Sequence, residues 1–129
     1  MQIIVFSLGP EKYAIETRFI NGIDRCLQIT KVPNVSPYIR GLANLRGNII
    51  SIMSLKTYLD IDDNSPEMNT LIFNKEEEQV GLLVDKVIEV LSINENTIEH
   101  MENPSEYITG IINKNGDIIT LLEGDGLLS

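Results

Sequence analysis

Short apolar runs, each ended by turn residues, recur about every ten positions along the 129-residue chain, which is the spacing of a small barrel or sandwich rather than of helices. Residues 2–8 make the first run. Gly9-Pro10-Glu11-Lys12 turns the chain into Tyr13-Ala14-Ile15, and Phe19, Ile20 and Ile23 lead a less regular apolar segment toward Leu27 and Ile29. After Pro33 and Pro37 a single helical turn is expected around Tyr38-Ile39-Arg40. Residues 42–45 and 48–55 then read as a hairpin about Arg46-Gly47. Residues 60–68 are polar and proline-bearing, and they read as a connection between two halves. Beyond it, residues 69–73, 80–84, 87–93, 107–113 and 117–122 are further strand candidates, with 94–104 as a longer irregular stretch.

The two halves repeat one another. Tyr38-Ile39-Arg40-Gly41-Leu42-Ala43-Asn44 matches Tyr107-Ile108-Thr109-Gly110-Ile111-Ile112-Asn113 at an offset of 69, and Gly47-Asn48-Ile49-Ile50-Ser51 matches Gly116-Asp117-Ile118-Ile119-Thr120. At an offset of 67, Phe6 falls on Phe73, Ala14-Ile15 on Gly81-Leu82 and Ile20 on Val87. Five short strands cannot fill an open sandwich. The expected fold is therefore all-β, with two small five-stranded β-barrels related by internal duplication, each closed so as to remove most free edges, and packed together. The first half is taken as residues 1–62 and the second as 67–129, with exchange of chain ends between them allowed. The crevice between two such units is where partners usually bind.

Composition narrows the function classes. Val, Ile and Leu dominate the apolar set, Trp is absent and aromatics reach 5%, which again favours strands. A formal net charge of -9 repels phosphate backbones and anionic lipid, so neither nucleic acid nor direct membrane insertion is expected. The opening Met1-Gln2-Ile3-Ile4-Val5-Phe6 lacks a basic flank and its run is broken at Gly9-Pro10, unlike a signal peptide or a span, so a cytoplasmic location is expected. The one cysteine, Cys26, fits a reducing compartment and reads as a small packing residue.

Catalytic chemistry finds no constellation. The one histidine, His100, sits in a stretch read as polar loop between Glu99 and Glu102, and without a second His or Cys no zinc set can form. Asp60-x-Asp62-x-Asn64 opens like a calcium loop but lacks the glycine and closing glutamate such a loop needs. Glu76-Glu77-Glu78 reads as a solvated hairpin tip protecting an edge. No cofactor is expected and no enzyme. One turn breaks the repeat: Asn115-Gly116 suits a type I′ hairpin, whereas its counterpart is Arg46-Gly47. Arginine gains nothing from that geometry, so Arg46 is either a partner-facing fork or a turn cation, solvated or in an intramolecular ion pair.

The run Val32-Pro33-Asn34-Val35-Ser36-Pro37-Tyr38-Ile39-Arg40-Gly41-Leu42-Ala43-Asn44-Leu45-Arg46-Gly47-Asn48-Ile49-Ile50 resembles the signature of the CheW family of bacterial chemotaxis adaptors. The start, Ile4-Val5-Phe6-Ser7-Leu8-Gly9 with Tyr13-Ala14-Ile15, resembles the family too, as do Val80-Gly81-Leu82-Leu83-Val84-Asp85-Lys86-Val87 and Tyr107-Ile108-Thr109-Gly110. The resemblance implies two Src-homology-3-like barrels around a shared core, forming a non-enzymatic adaptor that links the cytoplasmic tips of methyl-accepting chemoreceptors to the regulatory domain of the histidine kinase CheA. By position it implies a receptor-binding groove carrying Ile20, Asn44, Arg46, Val87 and Val90, and kinase contacts around Arg40, Gly41 and Leu42. From the residues alone, Ile20, Val87 and Val90 read more simply as core packing. The chain departs from the family at Ser51 and Ser54, where proline and aspartate are usual, and at Gly22, where an acid is usual. Such departures leave open a paralogue serving another receptor-kinase array. A small-ligand protein using the crevice between the barrels is a further alternative.

Overall fold

A computed structural model describes residues 1–25, 27–101 and 105–128. The expectations for Cys26 and Glu102 lie outside the described residues. Among the described residues there are eleven strands: β1 (Gln2–Leu8), β2 (Glu11–Glu16), β3 (Ile20–Asp24), β4 (Ile39–Leu45), β5 (Asn48–Ser54), β6 (Asn69–Lys75), β7 (Glu78–Val84), β8 (Lys86–Ser92), β9 (Glu99–His100), β10 (Ile108–Lys114) and β11 (Asp117–Leu122). One helical turn, α1 (Leu55–Tyr58), follows β5.

The strands form two sheets, ordered β8-β1-β2-β11-β10-β9 and β3-β6-β7-β5-β4. The arrangements are the same when read by the repeat. Hairpin β1/β2 corresponds to β6/β7, β8 to β3, and hairpin β10/β11 to β4/β5, with β11 parallel to β2 as β5 is parallel to β7. Even the irregularities match. The register slips between Ile39 and Gly41 and between Ile108 and Gly110, and Ile20 pairs with Phe73 as Val87 pairs with Phe6 across equivalent bulges. Each sheet draws strands from both repeats: β1 and β2 lie with β8, β10 and β11, while β6 and β7 lie with β3, β4 and β5.

Three apolar cores explain the sequence pattern. Ile3, Val5, Ala14, Ile112, Ile119 and Leu121 fill the curl of the first sheet, and Ala43, Leu45, Ile50, Ile52, Ile72 and Leu83 fill the second. Between the sheets lies a shared core with Phe6, Leu8 and Ile15 from one side and Met53, Leu71, Phe73 and Leu82 from the other. β1 is therefore buried on both faces, Ile3 and Val5 toward its own core and Ile4, Phe6 and Leu8 toward the shared one. This is why residues 3–6 form an unbroken apolar run where a one-sided strand would alternate. Full burial of side chains such as Phe6 and Phe73 contributes roughly 1.5–3 kcal/mol each.

Three local expectations are corrected. Hydrogen bonding closes neither sheet: β8 and β9 end one and β3 and β4 the other, with register shifts where β8, β3 and β4 pair with their neighbours. No helical turn forms at Tyr38-Ile39-Arg40. Ile39 N donates to Ser36 O in a tight turn and β4 begins there, since Arg40 sits in the bulge that a strand, not a helix, provides. The helical turn comes instead at α1, capped by the buried Ser54, whose Oγ accepts from Thr57 N and donates to Glu67 Oε2 at 2.7 Å. The departure at Ser54 thus keeps a capping side chain. His100 is not in a loop but in the short strand β9, opposite Gly110.

A buried charge cluster joins the sheets. Lys56 of α1, 3% exposed, holds Asp63 at 2.9 Å and Asp85 at 2.8 Å, and donates to Ser65 O. Asp85 Oδ2 accepts from Gly9 N in the β1/β2 turn of the other sheet. Burial alone would lower the Lys56 ammonium pKa, but hydrogen bonds to Asp85 and Asp63 outweigh it and the net displacement is upward. The same lysine, with hydrogen bonds from Ser65, holds Asp63 down to about 2.

Candidate docking site

β3 and β8 are outer strands, each with one face on the shared core. Cross-strand partners share a face, so Ile20 and Ile23, opposite Phe73 and Leu71, face that core from one sheet. Val87 and Val90, opposite Phe6 and Ile4, face it from the other. Ile20 and Val87 are half-buried and pack against the core, while Ile23 is 45% exposed and Val90 53%. Each pair therefore has one member in the core and one at its solvent rim. Ile23 is the residue that sequence reasoning missed. The signal was present, because Ile23 and Val90 stand 67 apart just as Ile20 and Val87 do.

Arg46 lies beyond the other face of β3. The β4/β5 turn is type I′, with Arg46 at φ 51° and Gly47 at φ 88°, matching Asn115 at 53° and Gly116 at 90° in the second hairpin. Asn44 Oδ1 accepts from Gly47 N at 2.9 Å, and Asn113 Oδ1 accepts from Gly116 N at 3.0 Å. Asn44 thus locks the turn that presents Arg46. The seam between hairpin and outer strand shows what differs. In the first sheet Lys114 Nζ reaches the Glu89 carboxylate at 3.3 Å. In the second, the position equivalent to Glu89 is Gly22, and an Arg46 Nη lies 3.9 Å from where a β-carbon on Gly22 would stand. Arg46 is exposed, and among the described residues no acid or carbonyl pairs with it.

The remaining site residues cluster on β4. Arg40 donates to Pro37 O and Thr57 Oγ1 and stands 3.8 Å from Glu67, so its guanidinium is held against the protein. Gly41 is buried at φ 148°, and a β-carbon there would meet Thr30 O at 2.1 Å, because the chain at Thr30 pairs with Leu42. It allows that approach, and any contact with a partner passes through its neighbours. Leu42 is 37% exposed beside Asn44 and the 64% exposed Ile49. Ser51, the other departure, is a half-buried residue of β5 between Leu42 and Val80. Glu76, Glu77 and Glu78 border an open cavity of about 640 Å³ at the β6/β7 turn. These strands are interior to their sheet, so the tip is solvated without shielding an edge.

Among the described residues no group of three or more His, Cys, Asp and Glu is placed to hold a metal ion. No helix among them is long and apolar enough to cross a membrane.

Comparison with known proteins agrees with this geometry. The chain is 30% identical over 135 residues to the chemotaxis protein CheW of Klebsiella aerogenes, covering 99% of this chain and 81% of that protein. It is 28% identical over 132 residues to the chemotaxis protein CheW of Thermotoga maritima, covering 98% and 87%. The crystal structure of the scaffolding protein TtCheW from Thermoanaerobacter tengcongensis superposes with a TM-score of 0.87 at 30% identity, over 95% of this chain and 88% of that one. The family model for the CheW-like domain matches residues 2–129, and with sheets, bulges and hairpins repeating as described, the chain belongs to the CheW family.

Proposed function

We propose that this protein is a non-enzymatic chemotaxis adaptor that couples the cytoplasmic tip of a methyl-accepting chemoreceptor to the histidine kinase CheA in the cytoplasm. The observation that carries the reading is the set of solvent-reaching apolar residues on the shared-core faces of two unpaired outer strands, Ile20 and Ile23 from one sheet and Val87 and Val90 from the other. An amphipathic helix offers apolar side chains every three or four residues, which suits a groove lined in this way. Arg46 stands across the free edge of β3 from these residues and supplies a planar fork for a carboxylate on a partner that reaches round that edge. The kinase's regulatory domain is assigned to the separate surface at Arg40, Leu42 and the backbone that Gly41 shapes.

Calorimetry with a purified receptor-tip fragment tests the groove. Ile23→Asp and Val90→Asp are each expected to weaken receptor binding by about tenfold or more, as loss of a central apolar contact does, while leaving kinase-domain binding intact. Equal loss of both partners, or of neither, contradicts the assignment.

A further inference from the structure

The two barrels differ most where each opens to solvent. In the first sheet the mouth is plugged: Ile3 is fully buried, and Met1 packs on the core and exchanges backbone hydrogen bonds with Ile93, N to O at 2.9 and 2.8 Å. The equivalents 67 residues on are Thr70 and Met68. Met68 is turned out, 62% exposed, and the mouth of the second barrel stays open as a cavity of about 340 Å³ walled by Leu27, Ile29 and Leu83. Thr70 lines it, fully buried, and its Oγ1 has no hydrogen-bond partner among the described residues. A buried hydroxyl left without a partner is costly enough that such groups normally find one.

Charge sets this mouth apart from its twin as well. Arg25, Lys31 and Arg40 line it, where the corresponding positions of the first barrel are Ser92, His100 and Thr109. Glu67, the acid of the lining, is taken up by Ser54 and faces Arg40. Arg25 and Lys31 are exposed and enter no ion pair among the described residues. In a chain of net charge -9 this is a local cationic ring around an apolar well.

We propose that the open mouth of the second barrel binds a small aliphatic carboxylate. The carboxylate accepts hydrogen bonds from Arg25 and Lys31 at the rim, and the alkyl tail lies on Leu27, Ile29 and Leu83 below them. The volume falls at the small end of the range for small-molecule sites, about 300–1,000 Å³, which favours a free metabolite over a protein segment. This site is separate from the receptor groove and shares only Arg40 with the surface assigned to the kinase, so the variants that test it alter Arg25 and Lys31 and leave Arg40 in place.

The test is an amide NMR titration of the full chain with sodium hexanoate, with hexylammonium chloride as the cationic counterpart and sodium acetate as the tail-less one. Saturable shifts confined to Leu27, Ile29, Thr70, Leu83 and their neighbours are expected with hexanoate, weaker ones with acetate and none with hexylammonium. The R25Q/K31Q double variant, altered at two exposed positions, is expected to weaken hexanoate binding about tenfold or more. Shifts that do not saturate, that spread over the whole surface, that hexylammonium reproduces, or that persist unchanged in R25Q/K31Q overturn the proposal.

Discussion

Arg46 and Asn115 occupy the same place in the same turn with nearly the same backbone, φ 51° and 53°, yet one is a long cation and the other a small amide suited to that conformation. A non-glycine residue in the left-handed region carries a small conformational cost, and no ion pair among the described residues offsets it for Arg46. The cost is consistent with a side chain kept for a partner. Arg46→Ala and Arg46→Glu are expected to leave unfolding free energy within about 0.5 kcal/mol of the parent, as for an unpartnered surface residue. Partner binding should weaken, and more so for the glutamate; a matching loss of stability would mark the arginine as structural. Gly41 behaves oppositely. Gly41→Ala places a β-carbon 2.1 Å from Thr30 O, and Gly110→Ala places one 2.4 Å from Glu99 O. Each is expected to cost about 2 kcal/mol or more in urea unfolding, because backbone on both sides must move. An unchanged midpoint would show that the close approach of these strands is dispensable.

At the scale of elements, most of the strands and both type I′ hairpins were legible because tight turns and apolar runs are local signals. The run of residues 3–6 gave β1, and Asn115-Gly116 with its match at Arg46-Gly47 gave two turns. What stayed hidden depends on contacts remote in sequence. β9 is two residues long and exists by pairing with Gly110 and Ile111. α1 sits where Ser54 meets Thr57 and Glu67, and residues 60–68, read as a mere connection, bring Asp63 to the buried Lys56. That lysine cluster makes two predictions. Lys56→Met removes the partner of an almost fully buried Asp85 and is expected to cost about 3–5 kcal/mol. With pH, Asp63 is ionised well below the ordinary carboxylate range when folded, at about 2 against 3.8. Its contribution is therefore complete above about pH 4 and disappears as pH falls through 2, where both states hold the proton. Asp63→Asn is expected to flatten the fall in stability between those limits; an unaltered acid profile would mean the ion pair with Lys56 adds nothing to folding.

For the molecule as a whole, the duplication was readable in the sequence, whereas the shared core came only as what the family resemblance implies. Which hairpin joins which sheet was not readable, because β1/β2 and β6/β7 offer the same alternation and either could complete either sheet. In the structure each sheet takes its hairpin from the other repeat, and the Lys56 cluster and the Phe19 and Phe73 rings, 6.0 Å apart, join them. Such interlocking predicts one cooperative urea transition seen alike by far-ultraviolet dichroism and by tyrosine fluorescence, and two resolved transitions would mean that the sheets are separate folding units. The measurement that tests the account most directly is calorimetric binding of the intact protein and of Arg46→Glu to both a receptor-tip fragment and the kinase's regulatory domain. The account predicts that the parent binds both, and that the variant, equally stable, loses the receptor while keeping the kinase domain. A parent that binds neither, or a variant that binds the receptor as well as the parent does, would contradict it.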